Sequence, residues 1–402
     1  MNPANHARDP RSEQVDHMIQ DALRVLQEDI QSFSAEREKI CDFIMGNPDL
    51  PIAADQIEFL LQFAYPAVNP KRGDYFDLLA RLVSEAKAHG DPQLVKSIYL
   101  SIPFFREDQK NQRKREFYEG GIQYFLSLGL HHIVGELYAH RVGMWGNTAE
   151  RIRFSDKALE FLNPTSKEYA CIRAMRELLC HMEHQGNPEL YHYHAFGETV
   201  FSNGESIFLS RIYPFSMYCK REEAFSLCFD VTILKGYNIM DPPDPSTPMK
   251  ELVDQALPVG ASKCLPEERE LIRLPDETVI CQADGKAYAC SVFLIRRVGY
   301  KDANMVGDTS EIHYYAGGIG PIRAVISVDG KQCAYDLCDY TIQGGDGLLP
   351  CCVGNRWCYR QENCPDDIDQ VIRREIISQN GEEYLLSGWN YAGRKIQKSK
   401  ER

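Results

Sequence analysis

Hydrophobic positions in the first part of the chain return at helical spacing. Val15, Ile19, Ala22, Leu26, Ile30, Phe33, Ile40 and Ile44 follow one another at steps of three, four or seven, which sets them on one face of an α-helix. Residues 1–49 are therefore expected to hold a disordered start and one long amphipathic helix. Such a face is buried either on adjacent helices or against a second copy of the chain, which would make it a self-association surface. Shorter helical stretches follow, punctuated by glycine and proline. In His89-Gly90-Asp91-Pro92-Gln93-Leu94, Gly90 can take the left-handed conformation that ends one helix. Asp91 can then cap the next, and Pro92 suits a first turn whose amide has no helical partner. The device returns at Gly186-Asn187-Pro188, with related turns at Leu128-Gly129-Leu130 and around Lys220. Turn positions near 90, 129, 186 and 220 are separated by 39, 57 and 34 residues. Two of these intervals suit a helix pair per repeat, and the longest holds a further break at residues 143–148.

The period then changes from helical to strand-like. Thr278-Val279-Ile280-Cys281-Gln282-Ala283-Asp284-Gly285-Lys286-Ala287-Tyr288 reads as two strands joined at Asp284-Gly285, a pair that tolerates the positive φ of a tight hairpin turn. The design recurs at Asp329-Gly330 and at Asn380-Gly381, so the carboxy-terminal part is expected to be an antiparallel sheet domain. One short helix is expected from Asp366-Asp367 through Val371, Ile372 and Arg374, with its acidic residues at the positive end of the dipole. Between the two halves, Pro242, Pro243, Pro245, Pro248, Pro258, Pro266 and Pro275 gather a third of the 21 prolines. Neither a helix nor an inner strand runs easily through that spacing, and the acidic residues around it suit an exposed connection. The expected layout is α+β and multidomain: a helical-repeat domain at 50–237, a linker at 238–275, a β-rich domain at 276–393 and a basic tail at 394–402.

Within the helical region, Lys157-Ala158-Leu159-Glu160-Phe161-Leu162-Asn163-Pro164 and the glycine-polar turns resemble the tetratricopeptide family, over roughly residues 50–237. The resemblance implies a helical solenoid that binds a peptide or another protein. Independently of it, successive amphipathic helices with short turns must stack to bury their faces.

Composition narrows the function classes. The 402 residues carry 45 Lys plus Arg against 58 Asp plus Glu, a formal charge of -13, which disfavours non-specific nucleic-acid binding. With 44% hydrophobic residues there is ample material for packed cores. The first ten residues lack the apolar core of a secretory signal, and no stretch approaches the ~20 apolar residues of a membrane span. The chain is thus expected in the cytoplasm, without membrane contact, and with its 14 cysteines reduced.

Eight of those cysteines fall between Cys281 and Cys364. Cys333, Cys338, Cys351, Cys358 and Cys364 are candidate ligands for a structural zinc, since clustered thiolates can complete a tetrahedron. Against this stand the absence of a Cys-x-x-Cys knuckle and the tendency of free cysteine to act as a small buried hydrophobe. Cys180, His181 and His184, with Glu177, Glu183 and Glu189 near in sequence, could meet His192 and His194 across a helix hairpin; His131 and His132 are weaker candidates of the same kind. No Gly-x-Ser-x-Gly elbow, phosphate loop or dinucleotide fingerprint is present. Ala316-Gly317-Gly318-Ile319-Gly320-Pro321 runs from strand to strand and reads as a turn or bulge. Two kinds of function remain. One is a protein- or peptide-binding scaffold, or a regulator that senses a ligand, with no cofactor. The other is a hydrolase or transferase with its site around residues 335–364, where Asp336, Asp339, Asp346 and His313 would converge or a cysteine nucleophile would pair with His313.

Overall fold

The computed structural model describes residues 9–26, 30–62, 75–102, 112–143, 147–184, 189–202, 206–218, 250–265, 269–302, 305–328, 331–362 and 368–394. The chain divides into two compact units, Met1–Asn147 and Thr148–Arg402, in an α+β layout.

In the first unit the described elements are helices: α1 (Pro10–Leu26), α2 (Ile30–Gly46), α3 (Ala54–Gln62), α4 (Tyr75–Ala88), α5 (Pro92–Leu100), α6 (Gln112–Ser127) and α7 (His131–Gly143). The expected long first helix is two. Its apolar stripe is buried inside the unit, with Val15, Ala22, Phe33, Ile40 and Ile44 each 3% exposed or less. That burial comes from α1 packing on α2 and α3, so the stripe is core and not a free self-association face. The punctuation at 90 works as expected. Gly90 has φ of 73°, and Asp91 Oδ1 accepts from the amides of Gln93 and Leu94 at 2.8 and 3.2 Å. Leu78, Leu79, Leu82, Val83 and Ala86 of α4 and Leu94, Val95, Ile98 and Tyr99 of α5 are buried, and the two helices pack on each other. The pair α4–α5 then meets α6–α7, with α4 against α6 and α5 against α7.

The second unit opens with α8 (Thr148–Phe161) and α9 (Lys167–His184), followed by twelve described strands. These are β1 (Glu189–Ser202), β2 (Ser206–Tyr218), β3 (Lys250–Asp254), β4 (Ser262–Leu265), β5 (Arg269–Ile280) and β6 (Ala287–Asp302). They continue as β7 (Met305–Ala316), β8 (Gly320–Val328), β9 (Lys331–Thr341), β10 (Arg356–Gln361), β11 (Ile368–Asn380) and β12 (Glu383–Arg394). All belong to one antiparallel sheet in the order β3-β2-β1-β12-β11-β10-β9-β8-β7-β6-β5-β4. Every pair is a neighbour in sequence except β1–β12, which runs in register from Glu189↔Arg394 to Phe201↔Glu383.

This sheet curls. One cluster of buried side chains joins Val253 at β3 to Leu265, Leu271, Phe293, Tyr315, Tyr335, Trp357, Ile376 and Leu386. A flat array of that many strands would be about 40 Å or more across at roughly 4.8 Å per strand, so only rolling brings its two ends to one core. Lys263 Nζ on β4 lies 3.2 Å from Asp254 Oδ2 on β3, a side-chain contact between the two edge strands with no ladder joining them among the described residues. On the outer face α9 lies against β1 and β12, with Ser387 Oγ donating to Ala170 O at 2.9 Å. A Cβ on Gly197 would stand 2.6 Å from Lys167 O, so that strand needs glycine where the helix approaches.

The expected layout is corrected in three places. Strands β1 and β2 occupy sequence read as helical repeat, and the segment that resembles a tetratricopeptide helix is α8, which packs on α9 in the second unit. Strands β3 to β5 occupy the expected linker. Pro275 is accommodated because the β5–β6 ladder shifts register between Leu274 and Glu277, leaving the residue that lacks an amide donor at a bulge. The short helix expected through Arg374 is instead β11, hydrogen-bonded on both sides to β10 and β12. The hairpins at Asp284-Gly285 and Asn380-Gly381 and the turn at 317–319 stand as read, β8 and β9 pair up to Val328↔Lys331 while Asp329-Gly330 lies outside the described residues, and no described helix is long and apolar enough to cross a membrane.

Candidate functional site

Residues directly opposite in an antiparallel ladder share a face. By that rule Arg273, Phe293, His313, Ala324, Tyr335 and Gln361 form one row across β5 to β10, linked by successive register pairs. Phe293 and Tyr335 belong to the enclosed core, so the row lies on the inner face of the rolled sheet.

One end of this interior is packed shut. Residues 342–355 connect β9 to β10 and send Leu348, Leu349 and Cys351 against the core. Asn355 holds this loop: Oδ1 accepts from the amides of Gln343 and Gly344 at 2.7 and 3.4 Å, and Nδ2 donates to Gly344 O and Pro350 O at 2.8 and 2.6 Å. Trp357 Nε1 donates to Ile319 O at 2.6 Å and Tyr359 Oη to Pro321 O at 2.9 Å. At the β5–β6 turn, Asp284 Oδ2 accepts from Tyr288 at 2.6 Å and Tyr340 at 3.1 Å. The Tyr288 hydroxyl, then the Lys286 amide and the Tyr340 hydroxyl, hold the carboxyl below its ordinary value.

Farther along the strands the inner face becomes polar. Arg273 stacks its guanidinium 4.9 Å from the Phe293 ring centroid and donates to Val292 O and Ser291 Oγ, each at 3.1 Å. His313 Nε2 lies 3.1 Å from Glu311 Oε2, and these side chains keep 17% and 30% of their surface exposed. Arg374 is paired with Trp357 in register and so faces inward as well. Burial raises the Tyr315 and Tyr359 phenols above their ordinary value, with the Arg374 charge opposing it. At the end of the row, Gln361 Oε1 is shielded from solvent and accepts no hydrogen bond from the described residues. A shielded acceptor without a donor costs about 1–3 kcal/mol.

The sequence-predicted groups are scattered over this framework. Cys333 is in the core, Cys351 in the loop, and Cys338 and Cys358 point outward; Cys364 lies outside the described residues. Alternation across the pleat separates them, and among the described residues no three Cys, His, Asp or Glu side chains are placed to hold a metal ion. None of the eleven described cysteines is in a disulfide. Asp336 pairs with Arg323 at 3.3 Å and Asp339 with Arg356 at 3.3 Å, so neither joins His313. Cys333 is two strands away from the His313 strand. The histidine hairpin does not form, because a strand follows α9. His181 packs on Trp389 and Tyr391 at 5.1 and 4.9 Å between ring centroids, and His184 Nδ1 lies 2.6 Å from Cys180 O. His192 and His194 are on β1, opposite Ala392 and Asn390, and His131 and His132 begin α7.

No protein-family model, curated protein or solved structure matches this chain. The row from Arg273 to Gln361 was not visible in the sequence, since it is assembled by ladder register from five hairpin pairings and no two of its members are adjacent in the chain.

Proposed function

We propose that the chain is a binding protein: the rolled sheet takes a small planar ligand on its inner face, and the helical unit docks a protein or peptide. The observation that carries the first part is the shielded, unpartnered Gln361 Oε1 in a row with His313 and Tyr335. An acceptor in that position suits a ligand N–H, and flanking aromatic rings suit a flat ligand body. An up-and-down sheet rolled on itself is also an architecture whose interior can hold one small ligand. The helical docking reading draws on the pairwise stack of α4–α5 on α6–α7, which agrees with a solenoid such as the tetratricopeptide resemblance implies. Catalysis finds less support, because Asp336, Asp339 and His313 are engaged separately.

The test is a thermal-shift screen of the full chain with planar heteroaromatic compounds bearing an N–H donor, run in parallel on Gln361→Met. The wild type is expected to gain thermal stability with at least one compound class and the variant to lose that gain. Without ligand, Gln361→Met is expected to be as stable as the wild type or more so, because it removes a shielded acceptor of similar length. A variant that is less stable without ligand and responds to compounds unchanged would overturn the proposal.

A further inference from the structure

The outer face of the sheet holds a second chemical feature, two thiols brought together by a bulge. Strand β9 pairs with β10 through Tyr359↔Leu337 and Cys358↔Asp339, so Cys338 is the extra residue. Leu337 and Tyr359 face the core, which turns Cys338 and Cys358 to the other side. Cys338 Sγ donates to Cys358 O at 3.3 Å, which sets the two side chains beside each other on the outer face. Both are partly exposed. Around them stand Arg360, Asp339 and, opposite Cys358 on β11, Arg373.

We propose that Cys338 and Cys358 form a reversible thiol–disulfide site oxidised by hydroperoxides. The Cys338 thiolate attacks the peroxide O–O bond, giving Cys338 sulfenic acid and releasing the second oxygen as water or an alcohol after protonation. Cys358 then attacks the sulfenic sulfur, the S–S bond forms, and the hydroxyl leaves as water. Two thiols are oxidised by two electrons in all, and the peroxide is reduced by two. A thiol donor returns the pair by exchange.

The roles follow from the environment. The adjoining Cys358 thiol holds the Cys338 thiol below its ordinary value, with Arg360 adding to it against the cost of burial. The same contact and burial raise Cys358, which makes it the resolving partner. Other thiols move the opposite way: burial raises Cys290 and Cys351 to about 11. Strand neighbours in a ladder also lie within the Cα spacing a disulfide needs, about 4.4–6.8 Å, so closure requires side-chain rotation more than backbone movement.

The expected advantage can be sized. At pH 7 each tenfold gain in thiolate is offset by about a threefold loss in nucleophilicity, so a lowered thiol keeps a net advantage. Cys338 should thus react several-fold faster than the exposed Cys264. The experiment exposes the full chain to substoichiometric hydrogen peroxide and maps non-reduced peptides by mass spectrometry. Wild type is expected to yield a Cys338–Cys358 linked peptide that dithiothreitol reverses. Cys358→Ser should leave a sulfenic acid at Cys338 that dimedone traps, and Cys338→Ser should leave Cys358 unmodified. Dimedone labelling in Cys358→Ser keeps the test decisive if Cys338→Ser folds poorly. Oxidation of Cys338 no faster than that of Cys264, or linkage of Cys338 to another cysteine first, would overturn the proposal.

Discussion

Asn355 is fully buried, and one short amide does for the β9–β10 loop what backbone pairing does for a strand. Its two donors and its carbonyl oxygen are all used, by three residues of the loop it closes. Truncation to Asn355→Ala would leave Gly344 and Pro350 carbonyls and the Gln343 amide without these partners. The expected loss is about 2–4 kcal/mol, read as a lower urea midpoint for the tryptophan fluorescence of the sheet unit. Single residues of this kind were the least legible in the sequence. An asparagine before Arg356 reads as a turn residue, and its partners are recognisable only once the loop is folded back on it. Gly90 and Asp91 were legible because helix capping is local and depends on residues within one turn.

Among the helices, α6 and α7 are joined through a buried polar contact. The Tyr118 hydroxyl lies 3.1 Å from Tyr99 O and 2.9 Å from His140 Nδ1. Burial lowers His140 from 6.5 to about 3, so the folded unit holds it neutral while an unfolded chain would take up the proton first. Stability is therefore full above pH 6.5 and falls as the pH drops toward 3, by about 2 kcal/mol at pH 5. Urea titrations followed by helical circular dichroism at pH 7 and pH 5 should show this slope, and His140→Gln should lose most of it. Elements were legible where their determinants were local. The hairpins at Asp284-Gly285 and Asn380-Gly381 needed only that pair between apolar runs. Strands β1 and β2 carry a comparable signal in Asn203-Gly204, between Tyr-, Phe- and Ile-rich runs, but it falls inside the helical-repeat spacing, which masks it. The acidic approach to β11 imitates a helix start, whereas pairing on both sides decides its conformation.

At the scale of the whole molecule, the division falls at Asn147, far before the proline-rich stretch that composition singles out. A fragment of residues 1–237 would carry β1 without β12, leaving a long open edge that invites association with other chains. A fragment ending at Asn147 breaks no strand pairing. Size-exclusion chromatography should therefore find the shorter fragment monodisperse and the longer one aggregated, and equal behaviour of the two would count against the boundary. The α+β class was readable from the change of hydrophobic period, but the seam between β1 and β12 was not, since no local pattern announces a partner so distant in sequence.

That seam also imposes a timetable on synthesis. Strand β1 leaves the ribosome roughly 180 residues before β12 is made, an interval of about 10–35 s at ordinary elongation rates. During it the sheet cannot be completed. Helix α9, made just ahead of β1 and seated on it at Gly197, is the one described neighbour on hand to shield that strand's outer face, which gives it the part of a built-in chaperone for the nascent sheet.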